Sequence, residues 1–229
     1  MKIVIENQLE GAKRAQGLTV IIDVFRAFTV ECFLFEQGVK TIIPMGDAQE
    51  CLALKKQHPD YYLVGERKGI KLEGFDSGNS PSYLTTVPEL KGKTIVHSTS
   101  AGTQGLVYAS KATEVITGSL VNAKAIARYI KKKNPEVVTL VCMGLNGTEE
   151  SAEDTLCAKY IKALLEGDEL NIHREIADLK NTAGKKFFDK ARPEFPEPDF
   201  FMCLVPNIFD FVIKADTSKN PIEMKRIDV

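Results

Sequence analysis

Asp23, Arg26, Glu66, Arg67, Asp76, Asn79, Glu153 and Asp154 are side chains of the kinds that handle phosphates and divalent cations. Asp23 comes straight after Leu18-Thr19-Val20-Ile21-Ile22, a β-branched apolar run that predicts a buried strand. A carboxylate at the mouth of such a strand can hold a hard cation or take a proton. It can equally cap the next helix. Arg26, three residues on, carries a guanidinium fork that grips an oxyanion through paired bonds.

Glu66 and Arg67 open a long stretch, Lys68 to Pro81, rich in glycine and in oxyanion- or cation-binding side chains. Loops of this length inside a domain are usually functional, which makes Asp76 and Asn79 candidate metal or phosphate contacts and leaves Glu73 as a surface charge. Ser98-Thr99-Ser100-Ala101-Gly102-Thr103 opens a predicted helix. The hydroxyls and N–H groups of Ser98, Thr99, Gly102 and Thr103 suit an anion, although ordinary capping needs the same residues. Ser151-Ala152-Glu153-Asp154 opens another helix after the loop Gly144 to Glu149. There Asp154 reads either as part of a capping box or as a carboxylate completing a Mg²⁺ site, with Glu153 beside it.

The elements that must position these residues alternate along the chain. Strands are predicted at Leu18 to Ile22, Lys40 to Met45, Tyr61 to Gly65, Lys93 to His97, Glu114 to Thr117 and Glu136 to Met143. Phe200 to Leu204 and Phe209 to Ala215 also read as strands. Helices are predicted at Ala27 to Gln37, Asp47 to Gln57, after Thr103, Asn122 to Lys133, Ser151 to Leu165, Asn171 to Asp178 and Asn181 to Lys190. Pro193 to Pro198 is an irregular connector. Thr19 to Leu52 and Thr94 to Ile126 share one order of elements, a weak repeat that any α/β chain can show. The expected fold is α/β, with mainly parallel strands and helices on both faces. It forms one domain over 1–229, with two similar lobes at about 1–90 and 91–229 as the alternative division. Such sheets bind ligands at the carboxyl ends of their strands, which is where the chemically distinctive residues fall.

With 30 basic and 31 acidic residues among 229, the chain lacks the basic field of a nucleic-acid binder. No apolar run reaches the roughly 20 residues that span a bilayer. The first residues lack a secretory layout, so a cytoplasmic location is expected. Five cysteines without a C-x-x-C pair argue against zinc or a disulfide framework. Cys157 lies near Asp154, whose charge disfavours a thiolate, so it is expected to pack rather than react. The three histidines stand far apart and read as surface or packing residues. P-loop, dinucleotide-binding and nucleophile-elbow motifs are absent, as is the second aspartate of haloacid-dehalogenase-type phosphatases.

Taken together, the segments VIIDVFRAFT at 20–29, GERKGIKLEGFDSGNSPSY at 65–83, STSAGT at 98–103, TGSLVNA at 117–123, AEDTLCA at 152–158 and FFMCL at 200–204 resemble the 2-phosphosulfolactate phosphatase family, the ComB-like proteins. The resemblance implies an α/β sandwich and a Mg²⁺-dependent phosphatase that hydrolyses 2-phospho-3-sulfolactate to 3-sulfolactate and phosphate, a step of coenzyme M synthesis in methanogens. It implies catalytic roles among Asp23, Arg26, Arg67 and Asp154. Substrate contacts would fall to Arg26, Arg67, Asn79, Ser98, Thr99, Gly102 and Thr103, and metal contacts to Asp23, Glu66, Asp76 and Glu153. Ala101, Lys159 and Val205-Pro206-Asn207 depart from the family pattern, so another phosphorylated hydroxy acid stays open as substrate. Water or Asp23 could be the nucleophile. The expected partner is a small anionic phosphorylated molecule, with no nucleic acid and no membrane, and a homo-oligomer stays open. The alternative function is a non-catalytic module that binds an anionic metabolite.

Overall fold

The computed structural model describes all residues, 1–229. In chain order the elements are β1 (Lys2–Asn7), α1 (Gln8–Arg14), β2 (Gly17–Ile22), α2 (Ala27–Glu36), β3 (Thr41–Pro44), α3 (Ala48–Gln57), β4 (Tyr62–Arg67) and β5 (Ile70–Lys71). There follow α4 (Pro81–Leu84), β6 (Thr94–Ser98), α5 (Gly102–Tyr108), β7 (Ala112–Gly118), α6 (Ala123–Lys133) and β8 (Val137–Cys142). The chain closes with α7 (Ala152–Glu166), α8 (His173–Leu179), α9 (Glu197–Leu204), β9 (Phe211–Asp216) and β10 (Glu223–Asp228). Three short 3₁₀ turns complete it.

The strands form a ten-stranded sheet in the order β1-β8-β2-β7-β9-β10-β3-β6-β4-β5. Two parallel blocks, β1-β8-β2-β7 and β3-β6-β4, are joined by the antiparallel hairpin β9-β10. The α/β class with a mainly parallel sheet is therefore as the sequence predicts. Strands from the first and second halves of the chain interleave, since β6 lies between β3 and β4 and β2 lies between β8 and β7.

Followed pair by pair, the second block runs opposite to the first. In a flat sheet their carboxyl ends would point to opposite edges. Here residues from both sets of ends line one cavity, so the sheet curls between the blocks. The joint is slender: β10 meets β3 through one residue pair, Met224 with Ile42.

The packing follows from strand periodicity. Leu18, Val20 and Ile22 of β2 face one core with residues of α6, α7 and α9. Ile21 faces the other with residues of α1, α2 and α5. Both faces are covered, which is why β2 and β8 are continuous apolar runs. Helix α2 is buried over most of its length, so its sequence is apolar all round. Asp47 caps α3 by accepting the N–H groups of Gln49 and Glu50.

Two expectations are corrected, and elements such as β1, α1 and β10 are additional. Phe200 to Leu204 is not a strand but the end of α9, whose start is set by Pro196 and Pro198. Asn181 to Lys190 is not a helix but a set of turns with a 3₁₀ segment at Lys185–Phe188. Strand β10 was not expected at all; its sequence Glu-Met-Lys-Arg-Ile-Asp has one buried residue, Met224.

Gly105 sets the seat of α5 on the first block. A Cβ there would lie 2.4 Å from Met143 Sδ and 2.8 Å from Ile21 Cγ2. Gly105→Val should therefore destabilise the protein by about 1–3 kcal/mol in urea unfolding, the usual cost of overpacking. An unchanged midpoint would show that α5 can shift without loss.

Candidate active site

A cavity of about 590 Å³ lies where the ends of β2, β8, β4 and β6 meet the start of α7 and the segment between α8 and α9. Each strand contributes a residue just past its apolar run. Asp23 ends β2, and its backbone N–H still donates to Gly118 O of β7. Its Oδ1 accepts the Ala27 N–H at 3.1 Å, so the helix-capping role is real. Its Oδ2 has no hydrogen-bond partner and lies beside Gly102, where a Cβ would sit 2.9 Å away.

Asp154 is not the capping-box residue that its spacing suggests. Its Oδ1 accepts the Val24 N–H and its Oδ2 the Gly144 N–H, both at 2.8 Å. It thereby ties the ends of β2 and β8 to α7. Glu153 beside it is buried, and its Oε2 has no partner. Glu66 lies across the cavity with both oxygens occupied: Oε1 accepts the Ser100 N–H, and Oε2 accepts the Gly69 N–H and the Ser100 hydroxyl.

Burial and this clustering shift the acids upward. Loss of water pushes Asp23 well above the usual carboxylate range, and the charges of Asp154, Glu66 and Glu153 add to it. Burial, then Asp154, raise Glu153 to about 7. Asp154 is also raised by burial, against the pull of its two backbone N–H donors.

Cations balance these acids from the other wall. Arg26 is buried and lines the cavity. Its Nη1 donates to Asp199 Oδ2 at 2.7 Å and to Glu194 O at 3.0 Å, leaving Nε and Nη2 for a ligand. Asp199 is in turn held by the Ser80 and Ser82 hydroxyls and the Ser82 N–H. The Arg26 guanidinium lies 4.7 Å from the Phe195 ring centroid. Lys186 reaches the same cavity over the rings of Phe25, Phe187 and Phe195. Desolvation lowers its pKa, while Glu153 and Asp23 pull it back up. Lys68 and Arg192 complete the positive lining.

No set of three His, Cys, Asp or Glu side chains forms a ready cage for a metal ion. Mg²⁺ does not need one, since it is commonly held by one or two carboxylates, water and a substrate phosphate. Asp23 Oδ2 and Glu153 Oε2 belong to cavity-lining carboxylates and have no protein donor, and such hard oxygens fit Mg²⁺.

A family model described as 2-phosphosulpholactate phosphatase matches residues 3–216. The chain belongs to the 2-phosphosulfolactate phosphatase family. It is accordingly an enzyme of the phosphoric monoester hydrolase class. A Bacillus subtilis relative, 34% identical over 86% of each chain, is named a probable 2-phosphosulfolactate phosphatase. So is one from Clostridium perfringens strain 13, 36% identical over 93% of this chain and 91% of its own. A third, from Carboxydothermus hydrogenoformans, is 41% identical over 72% of this chain and 68% of its own.

Of the residues that the family resemblance singles out, Asp23, Arg26, Glu66, Asn79, Thr99, Glu153 and Asp154 line the cavity. Four others do not. Asp76 turns away: its Oδ2 accepts the Leu63 N–H and the Lys55 ammonium, each at 2.7 Å, and pins the long loop along β4. Arg67 donates to Glu66 O, Gly46 O and Ser98 Oγ, bracing loops behind the cavity wall. Ser98 is consumed in that bond. Thr103 exchanges hydrogen bonds with Thr99, so much of the turn's donor capacity is spent internally. Gly102 backs onto Asp23 instead of facing a ligand, and its missing side chain is what admits the carboxylate. In this structure Asp76 and Arg67 anchor loops and do not line the cavity.

The sequence reading missed Lys186, Arg192, Phe195 and Asp199. Treating 181–190 as a helix concealed that Lys186 points into the same space as Asp23. Asp199, an acid beside Phe200-Phe201, carried a usable signal, since a buried Arg26 requires a buried partner. Cys157 is fully buried on α7, and desolvation followed by the Asp154 charge holds its thiol well above the usual range, as expected of a packing residue.

Burial, then Asp154, raise Glu153 from 4.5 to about 7, so the folded protein holds this proton more tightly than the unfolded chain. The resulting stability is fully present below the unfolded value and is lost as pH rises through about 7. Asp23 acts in the same direction. In metal-free buffer the urea midpoint should fall between about pH 5 and about pH 7.5, and Glu153→Gln should flatten that fall. A variant whose pH profile runs parallel to the parent would remove Glu153 as the cause.

Proposed function

We propose that the cavity binds a small phosphorylated hydroxy acid with a second anionic group, 2-phospho-3-sulfolactate being the substrate the relatives' names suggest, and hydrolyses it to the hydroxy acid and phosphate. One observation supports this reading above the others. Carboxylate oxygens without donors, on Asp23 and Glu153, face arginine and lysine groups across a single cavity. A module that only binds anions needs the cations and has no use for converging carboxylates.

Each side chain has a definable task. Arg26 offers Nε and Nη2 to an oxyanion, with the guanidinium plane fixed by Asp199 and Phe195. Lys186 supplies a point charge to the second anionic group or to the transferring phosphoryl group. Asp23 and Glu153 would hold Mg²⁺ through Oδ2 and Oε2. When bound, the ion would neutralise phosphate charge and polarise the scissile centre. Asp154 holds Asp23 and Glu153 in place through the backbone at both strand ends. The aromatic rings around Arg26 and Lys186 exclude water and so strengthen both cations toward an anion.

The reading is tested with p-nitrophenyl phosphate and 2-phospho-3-sulfolactate, with and without Mg²⁺ and after chelation. Phosphate release should depend on Mg²⁺. Asp23→Asn should lower kcat/KM on the order of 100-fold, as expected for an electrostatic group at the reacting centre. Asp76→Asn should stay close to the parent. Full turnover in excess chelator would remove the metal, and equal losses for both variants would undo the assignment of Asp76. Tight binding of either phosphate ester without turnover would favour the non-catalytic alternative.

Arg26→Lys should cost roughly 2–4 kcal/mol in kcat/KM, because lysine reproduces neither the fork nor the bond to Asp199. Unchanged kinetics would place Arg26 outside the site.

A further inference from the structure

Glu31 and His97 are both fully buried, and neither is explained by the chemistry above. Glu31 sits in α2 among Phe28, Val30, Cys32 and Leu34, all of them buried. Its Oε1 lies 2.9 Å from His97 Nδ1. Its Oε2 has no hydrogen-bond partner. An acid in this position is costly to fold, and an apolar residue would pack the helix better.

The second ring nitrogen leads to the cavity. His97 Nε2 lies 3.1 Å from Asn79 Oδ1, and Asn79 lines the cavity wall. With the carboxamide oxygen on Nε2, that nitrogen donates, and a second proton lies between Nδ1 and Glu31 Oε1. The Asn79 Nδ2 is left with no protein acceptor, on a side chain whose only protein bond runs to His97. Three segments are joined by this chain of bonds: α2, the end of β6, and the loop that Asp76 pins along β4. An acid and an imidazole that share a proton in this way fix the orientation of the ring, and the Nε2–H of the ring then fixes which way round the carboxamide sits.

We propose that Glu31 and His97 are positioning residues: through the imidazole they fix the Asn79 carboxamide so that its Nδ2 donates to an oxyanion of the bound substrate. This rests on the phosphatase reading, which supplies the oxyanion. Asn79 touches the ligand, whereas His97 and Glu31 act only through it. Their removal therefore does no harm once Asn79 is gone.

The test is a double-mutant cycle on kcat/KM for p-nitrophenyl phosphate and on inhibition by inorganic phosphate, using Asn79→Ala, His97→Gln and the pair. Asn79→Ala should reduce kcat/KM roughly 10–100-fold, the value of a hydrogen bond to a charged acceptor, with phosphate inhibition weakened in parallel. His97→Gln should lose somewhat less, and the pair should be no worse than Asn79→Ala alone. A purely structural trio predicts the opposite: losses that multiply, or an Asn79→Ala variant within twofold of the parent, and either overturns the proposal. Where His97→Gln does not fold, the same cycle with Glu31→Gln decides. If the parent protein releases phosphate from no ester, the phosphatase reading fails instead. Calorimetric titration of inorganic phosphate with Mg²⁺ into these variants then tests Asn79 separately: matched loss of binding supports the positioning role, and unchanged binding overturns it.

Discussion

The architecture turns on a crowd of carboxylates buried where two parallel strands end. Asp23, Glu153 and Asp154 share a space in which loss of water raises the protonation tendency of all three. Asp154 makes that crowding tolerable on one side by accepting a backbone N–H from each strand end. Nothing in the protein does the same for Asp23 Oδ2 or Glu153 Oε2. The fold therefore holds these acids at a cost in stability, with two of their oxygens left without a donor.

The rest of the molecule supplies the opposite wall. The β9–β10 hairpin reverses the direction of the second parallel block. Curling of the sheet then brings the ends of β4 and β6 back toward β2 and β8. Gly102 lets α5 approach Asp23 closely, and Gly69, with φ of +86°, lets the β4–β5 turn lie against Phe195. The segment before α9 closes the space with a cluster of phenylalanines that carries Arg26 and Lys186. Arg26 is held by Asp199, Asp199 by Ser80 and Ser82, and those serines follow directly on Asn79. Arg26, Asp199, Ser80 and Ser82 thus form one connected set of hydrogen bonds behind the cavity.

Much of this was readable in the chain itself. The apolar runs of β2, β4, β6 and β8 fix their own faces, because a strand covered on both sides has to be apolar throughout. A polar residue ending such a run has to sit at the sheet's edge, which is why Asp23 and Glu66 stand out as candidates; Glu153 and Asp154 instead open the helix that follows the loop after β8. The capping of α3 by Asp47 is likewise local. What only the tertiary structure decided is which of the polar residues meet. Asp76 and Asp23 look alike in sequence, but Asp76 has Lys55 and the Leu63 N–H within reach and is neutralised there. His97 reads as one histidine among three until Glu31, 66 residues away, is placed against it. Lys186 and Asp199 lie in segments with no periodic signal, and their surroundings come from distant parts of the chain, Glu153 and Asp23 for Lys186 and Arg26 for Asp199. Local pattern fixes where a strand ends and what stands there; long-range packing decides whether that side chain finds a protein partner or stays free for a ligand.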